Sequence, residues 1–155
     1  MTNPPHGMHT ATMCLTVKNS DAAIDFYKKV FDAQELFKMA GPDGKSVMHA
    51  EVKIGDSIIM LNDEMPQMGC MSPQSVGGTS SGIYLYVNNV DATLKKASEN
   101  GAKIKMPATD AFWGDRMGNI EDPFGHNWTV ATHIKDMTPD EIVKAGQEWM
   151  KTVCK

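Results

Sequence analysis

The stretch Cys14-Leu-Thr-Val-Lys-Asn-Ser-Asp-Ala22 recurs seventy residues later as Tyr84-Leu-Tyr-Val-Asn-Asn-Val-Asp-Ala92. The two stretches share Leu, Val, Asn, Asp and Ala at corresponding positions. Each begins with the alternation of a half-buried strand and ends with an Asn that suits a helix N-cap. A repeated supersecondary unit governs the whole fold, so the chain is predicted to consist of two similar halves.

The elements that follow each stretch strengthen the repeat. In the first half, a strand at 12–17 precedes a helix capped by Asn19 or Ser20, and apolar residues recur along that helix at helical spacing. Turn residues then separate three short strands, predicted at 35–39, 46–54 and 57–62. The second half repeats the order: a strand at 82–87, a helix capped by Asn89, and strands at 103–106, 116–121 and 126–132.

Two segments lie outside the repeats. Residues 63–81 are rich in Pro, Gly, Ser and Met, and they are predicted to form a long loop, either a functional lid or a plain crossover. Thr138-Pro-Asp-Glu141 forms a capping box with Pro at the first helical position, which predicts a C-terminal helix at 138–153. We expect this helix to pack on the domain or across a dimer interface.

Composition excludes several function classes. The 155 residues include 19 acidic and 15 basic ones, a net charge of −4, so nucleic-acid binding is not expected. Cys14, Cys70 and Cys154 form no close pair, which is typical of a reducing compartment. The N-terminus lacks the pattern of a signal peptide, and the longest uncharged apolar run, residues 57–61, is too short to span a membrane. These features predict a cytoplasmic protein.

Alternation along the strands sorts residues between two environments. Two curved sheets, each with its helix on one side, are expected to enclose a concave cavity. Leu15, Val17, Trp128 and Val130 should face the helices. The opposite side should carry Thr12, Cys14, Tyr84, Tyr86 and Thr129.

Several motifs carry a family resemblance. Ala23-Ile-Asp-Phe-Tyr27, Phe112-Trp-Gly-Asp-Arg116 and the stretch Glu121-Asp-Pro-Phe-Gly-His-Asn-Trp-Thr-Val-Ala-Thr-His133 resemble the PhnB-like branch of the vicinal oxygen chelate superfamily. That superfamily includes glyoxalase I, ring-cleaving dioxygenases and bleomycin-resistance proteins. The resemblance implies an α+β fold of two β-α-β-β-β halves with a C-terminal helix. On this resemblance, the chain would form one glyoxalase-like domain over 1–155, with halves at 10–63 and 82–133. The protein would be a homodimer.

The resemblance also implies four positions for a divalent metal, two on the first strands and two on the last strands of the halves. They fall at Thr12, Met60, Gly82 and Thr129, none of which offers a carboxylate or an imidazole. No cofactor is therefore predicted, a divalent metal is disfavoured, and whether the chain is an enzyme stays open. A displaced site at His49 and Glu51, two apart on one strand, is the alternative to an ordinary hydrogen-bonded pair.

The aromatic residues give the strongest binding signal. Trp113, Tyr84 and Tyr86 could stack on a planar ligand, with Asp115 and Arg116 orienting its polar groups. Alternatively, Phe112 and Trp113 close the core, and Asp115 pairs with Arg116. Cys14 has no adjacent base and is interpreted as a small packed thiol. The predicted ligand site comprises Thr12, Cys14, Met60, Tyr84, Tyr86, Phe112, Trp113, Arg116 and Thr129.

These observations predict metal-independent binding or sequestration of an apolar or aromatic small molecule. Two other functions stay open: a metal-dependent lyase or isomerase of the glyoxalase type with a displaced metal site, and a non-catalytic interaction module.

Overall fold

The computed structural model describes residues 3–5 and 7–153; Cys154 lies outside the described residues. The chain forms two compact units, one of residues up to Ser80 with Pro123–His126, the other of Ser81–Asp122 with residues from Asn127 onward. The elements are Met13–Val17 (β1), Ser20–Phe31 (α1), Gln34–Ala40 (β2), Val47–Ile54 (β3), Ser57–Asp63 (β4), Pro73–Val76 (α2), Gly82–Tyr86 (β5), Val90–Glu99 (α3), Lys103–Asp110 (β6), Asp115–Glu121 (β7), Asn127–His133 (β8) and Pro139–Val153 (α4).

The first unit is a four-stranded sheet in the order β1-β4-β3-β2 with α1 on one face. β1 and β4 run parallel, and the remaining pairs are antiparallel. Leu15 and Val17 are buried, whereas Cys14, the residue before Leu15, is exposed, as the alternation of a strand predicts. Rings from α1 complete the core, where Phe26 and Tyr27 contact Phe124 at centroid distances of 6.1 and 6.3 Å.

The second unit repeats the order as β5-β8-β7-β6, again with the first and last strands of the half parallel. α3 buries Val90, Leu94 and Ala97. Trp128 is buried on β8, and its indole Nε1 donates to Asp122 Oδ2 at 2.9 Å. The predicted α+β fold of two β-α-β-β-β halves with a C-terminal helix is confirmed.

The repeat extends to the helix caps. Asn19 Oδ1 accepts the backbone N–H of Ala22 at 3.0 Å, and Asn89 Oδ1 accepts that of Ala92 at 2.9 Å. The backbone angles agree closely: φ −149° and ψ 96° at Asn19, φ −149° and ψ 100° at Asn89. Of the two residues considered for the first cap, Asn19 is therefore the one used.

Two local expectations need correction. The strand predicted at 103–106 continues to Asp110, past Pro107. β6 is an edge strand with irregular register, where a missing N–H is tolerated. Residues 63–81 also contain more structure than a plain loop: a 3₁₀ turn at Pro66–Met68 and the short helix α2.

The C-terminal helix begins as predicted. The backbone N–H of Thr138 donates to Glu141 Oε2 at 2.7 Å, and the backbone N–H of Glu141 donates to Thr138 Oγ1 at 3.3 Å. This reciprocal pair is the capping box that the sequence predicts. Among the described residues, no helix is both long and apolar enough to cross a membrane.

The paired caps yield a stability prediction. We expect Asn19→Ala and Asn89→Ala each to lower the free energy of unfolding by about 1 kcal/mol, because each leaves one backbone N–H without its side-chain acceptor. Urea denaturation followed by circular dichroism measures this. Asn19→Ser and Asn89→Ser, which keep an acceptor, are the matched controls. Equal stability of an Ala variant and its Ser control would contradict the role of that cap.

Candidate ligand-binding site

The carboxylate of Asp115 is the centre of a polar cluster at the start of β7. Asp115 is only 2% exposed. Its Oδ2 accepts hydrogen bonds from the Tyr84 hydroxyl at 2.9 Å, the Tyr86 hydroxyl at 3.1 Å and Trp113 Nε1 at 3.1 Å. Its Oδ1 lies 2.8 Å from His133 Nδ1. A carboxylate out of water needs such donors, and these four provide them.

His133 lies between two carboxylates. Its Nδ1 faces Asp115 Oδ1, and its Nε2 lies 3.0 Å from Asp136 Oδ1. Since an ionised carboxylate can only accept, this geometry favours the protonated ring, in which both nitrogens donate. The hydrogen bond to Asp115, followed by that to Asp136, raises the pKa of His133 above its ordinary value. We name Tyr84, Tyr86, Trp113, Asp115, His133 and Asp136 the Asp115 cluster.

Asp115 stays ionised despite its burial. Burial alone would raise its pKa, but the hydrogen bonds from His133, Tyr84, Tyr86 and Trp113 together outweigh it and lower the pKa below its usual value. The tyrosines respond in the opposite direction. Burial, followed by the hydrogen bond to Asp115, raises the pKa of Tyr84 to about 12. Burial and the same carboxylate also raise the pKa of Tyr86, so both phenols stay protonated donors at neutral pH.

The two tyrosines display their rings while their hydroxyls are held. They alternate along β5 and so share one face of the sheet. Tyr84 is 45% and Tyr86 61% exposed, and their ring centroids lie 5.2 Å apart with an interplanar angle of 49°. We name the sheet face that carries them the tyrosine face. It lies opposite α3.

A tight turn aims Trp113 and Asp115 at this face. Gly114 has φ +96°, and its carbonyl accepts the backbone N–H groups of Ile134 and Lys135 at 2.9 and 3.0 Å. A Cβ at Gly114 would overlap the carbonyl of Lys135. Only glycine combines a positive φ with the absence of a Cβ, so it fits this position without strain. The turn before β7 and the chain after β8 are thereby joined where His133 meets Asp115.

Phe112 lies between Trp113 and the C-terminal helix. Its ring contacts Trp113 edge-on at 4.9 Å and Trp149 of α4 at 5.6 Å. A Cβ on Gly146 would lie 3.0 Å from the Phe112 ring, so the helix approaches closely because it has glycine there. Phe112 thus packs on α4 as the packing alternative expects, while Trp113 reaches the carboxylate.

Arg116 is a correction to the predicted site. It does not pair with Asp115. Its guanidinium makes two 2.8 Å hydrogen bonds to the Asp91 carboxylate in the first turn of α3 and a third to Asp110 Oδ1 at 2.8 Å. Neighbouring strand residues point to opposite faces. Arg116 therefore lies on the α3 face and does not join the tyrosines.

The predicted site residues of the first unit lie on or beside its sheet. Cys14 and Met60 are register partners on β1 and β4, and Thr12 comes just before β1. The Cys14 thiol donates to Asn62 Oδ1 at 3.6 Å. Burial, followed by Cys70, raises the pKa of Cys14, so the thiol is not activated as a nucleophile.

Thr129 lies beside Asn119 on the tyrosine face of the second sheet. Asn119 follows Asp115 and Met117 at alternate positions of β7. Its Oδ1 is buried and has no hydrogen-bond partner among the described residues.

The residues do not fit the metal that the fold family implies. Thr12 and Thr129 offer only neutral hydroxyls, Met60 a thioether, and Gly82 no side chain. At the displaced candidate, His49 Nε2 lies 3.3 Å from Glu51 Oε1. Within the described part of the chain, no three His, Cys, Asp or Glu side chains come together in a way that could hold a metal ion.

Comparison with known proteins identifies the family. The model described as the Glyoxalase/Bleomycin resistance protein/Dioxygenase superfamily matches residues 8–130. The chain belongs to this superfamily. The resemblance drawn from the motifs is thereby confirmed.

Individual superfamily relatives extend the comparison. An uncharacterized protein of Mycobacterium tuberculosis is 44% identical over 134 residues, covering 84% of this chain and 78% of that protein. The PhnB protein from Bacillus cereus has a TM-score of 0.63 at 17% identity, covering 80% of this chain and 99% of that one. The fosfomycin resistance protein FosX from Listeria monocytogenes, complexed with Mn(II) and sulfate, has a TM-score of 0.63 at 16% identity, covering 92% and 99%. At these identities the two structures establish the fold alone.

Sequence reasoning found the aromatic members of the Asp115 cluster and missed its organisation. It assigns Asp115 only the orientation of a ligand's polar groups and does not place His133 in the site. Asp136 was not considered. The available signal was the alternation of β7, which separates Asp115 from Arg116 and sends only Asp115 toward Tyr84 and Tyr86.

The cluster predicts a pH-dependent stability. The pKa of His133 is raised in the folded protein above its value in the unfolded chain, about 6.5. This shift stabilises the fold fully below about pH 6.5, and the contribution disappears as the pH rises through the folded pKa. The pKa of Asp115 is lowered in the folded protein below its value in the unfolded chain, about 3.9. This shift stabilises the fold fully above about pH 3.9, and the contribution disappears as the pH falls through the folded pKa.

The Tm difference between the wild type and His133→Gln should therefore be largest between these two limits and shrink as pH rises. Thermal melts across pH 3–10 measure it, with His9→Gln, outside the cluster, as the control for removing an imidazole. A His133→Gln difference that is constant over this range would contradict the imidazolium between two carboxylates.

Proposed function

We propose that this protein binds an apolar or aromatic small molecule without a metal, and that the ligand stacks on the tyrosine face. The observation that carries the proposal is the pair of exposed rings, Tyr84 and Tyr86, whose hydroxyls are both held by the buried Asp115. Large exposed aromatic surfaces on a small protein are typical of binding sites.

The anchoring favours affinity. Binding usually costs the entropy of ordering side chains at the contact, about 0.5–1.5 kcal/mol for each flexible one. Tyrosine has only two rotatable side-chain bonds, and here the hydroxyl end of each ring is already fixed by the carboxylate. A planar ligand would therefore meet rings that need little further ordering.

The same contacts favour binding over acid–base catalysis. A catalytic base or acid must have a proton site that is open to the substrate. Both nitrogens of His133 are directed at carboxylates, and the phenolic protons of Tyr84 and Tyr86 are directed at Asp115. The raised pKa of Tyr84, about 12, keeps that phenol neutral.

Three further features belong to the proposal. The donor types at Thr12, Met60, Gly82 and Thr129 support independence from a metal. The family supports a homodimer. The negative net charge supports a protein that does not bind nucleic acid, and the wide spacing of the cysteines in the sequence supports a cytoplasmic one.

Ligand-observed NMR against planar aromatic compounds tests the proposal. We expect saturable binding that is unchanged by a chelator. Tyr86→Ala should weaken it about tenfold, or about 1.4 kcal/mol, because a ring contact is lost. Tyr86→Phe, which keeps the ring, is the matched control and should retain most of the affinity. Absence of saturable binding would favour the non-catalytic interaction module instead. Binding that is lost with a chelator and restored by a divalent metal would favour the metal-dependent lyase or isomerase.

A further inference from the structure

The hydrogen-bond donors of the Asp115 cluster are already used. The Tyr84 and Tyr86 hydroxyl protons and the Trp113 indole proton are directed at Asp115 Oδ2. The imidazolium of His133 donates to Asp115 on one side and to Asp136 on the other. None of these groups offers a proton to a ligand unless it leaves its carboxylate.

Acceptors remain available on the tyrosine face. A phenolic oxygen carries two lone pairs. One of these is used on Tyr84 by Trp113 and one on Tyr86 by Tyr84, so each phenol keeps one for a ligand. Asn119, four residues along β7 on the same face, adds a buried Oδ1 without a partner among the described residues. Burying an acceptor without a donor costs free energy, which Asn119 would recover by turning its amide oxygen toward a ligand N–H. The rings themselves present the negative faces of their π-systems.

The charges around the tyrosines point the same way. Below about pH 6.5, where an ordinary imidazole is protonated, Asp115, His133 and Asp136 sum to one negative charge. The neighbouring Lys135 interacts with the opposite charge of Glu141 in α4. The guanidinium of Arg116 lies on the other face of the sheet and is held by Asp91 and Asp110.

Two lysines lie at the far end of the same face. Lys103 and Lys105 pair with Glu121, six residues along β7 from Asp115. Glu121 lies only two residues along β7 from Asn119, which is level with Tyr84, but four residues, about 13 Å, from Met117, which is level with Tyr86. The lysines are therefore beyond the screening length of about 8 Å at the Tyr86 end, where we expect the charge selection to act.

We propose that the tyrosine face selects planar aromatic ligands that carry a positive charge with N–H donors, such as aryl-alkylammonium groups, and disfavours aromatic carboxylates. The ammonium would lie over a tyrosine ring and donate to the free lone pairs, a cation–π arrangement. This inference rests on the proposed function, since it names the ligand class of the same site.

Three probes with one ring system separate charge from shape: 2-naphthylmethylammonium, 2-naphthylmethanol and 2-naphthoate. Calorimetric titration of the full chain at pH 5.5, where His133 is protonated even at the ordinary imidazole pKa of about 6.5, should give the order ammonium, alcohol, carboxylate, with at least a tenfold difference between the first and the last. Added salt should reduce the difference.

Two charge-neutralising variants test the origin of the selectivity. Asp136→Asn removes one charge from a fully exposed side chain and should reduce the ammonium-to-carboxylate ratio about threefold or more while leaving the alcohol's affinity unchanged. Glu99→Gln, at the end of α3 on the other side of the same sheet, makes the same charge change away from the tyrosine face and should leave the ratio unaltered. Asn119→Leu should weaken the ammonium more than the alcohol.

The outcomes distinguish the two proposals. Equal binding of the three probes, or tightest binding of the carboxylate, would overturn the cation selectivity and leave aromatic binding in place. An equal change of the ratio in Asp136→Asn and Glu99→Gln would also overturn it, because the effect would then be one of net charge. Saturable binding of none of the probes would overturn the proposed function together with this inference.

Discussion

A carboxylate removed from water needs hydrogen-bond donors from the protein in place of water. Most of the second unit's distinctive chemistry follows from the donors that surround Asp115. The group is 2% exposed, and donors from four separate residues converge on it. Those donors come from β5, from the turn before β7 and from the end of β8. Removing the carboxylate would therefore release three aromatic rings and an imidazolium at once, which is why it controls the shape of the tyrosine face.

The two halves share a fold and differ at the positions that carry chemistry. Both keep the Asn cap and the same strand order. At the positions that hold Tyr84 and Tyr86 in the second half, the first half has Cys14 and Thr16. Cys14 makes a weak hydrogen bond to Asn62, and no buried carboxylate lies beneath it among the described residues of β1 and β4. The repeat thus preserves the scaffold, while side chains opposite the helices are free to diverge.

Local sequence signals predicted the scaffold well, because each depends on neighbours along the chain. Asn19, Asn89 and the Thr138–Glu141 box act within three residues, and the strand alternation acts within five. The Asp115 cluster joins residues that are up to 52 positions apart, from Tyr84 to Asp136, and no local pattern encodes such a meeting. Arg116 follows Asp115 directly in the sequence, but the alternation of β7 sends the two side chains to opposite faces, where Arg116 meets Asp91 and Asp110. The strand predicted at 103–106 likewise continues past Pro107, because an edge strand tolerates a missing N–H.

The carboxyl carbon of Asp115, followed by NMR through an acid titration, tests the central claim most directly. An ordinary aspartate titrates with a midpoint of about 3.9. The hydrogen bonds to Asp115 predict that the midpoint of its chemical-shift change lies below that value. A midpoint at or above the ordinary value would contradict the account. It would mean that burial outweighs the four donors and that the tyrosine face lacks a charged anchor.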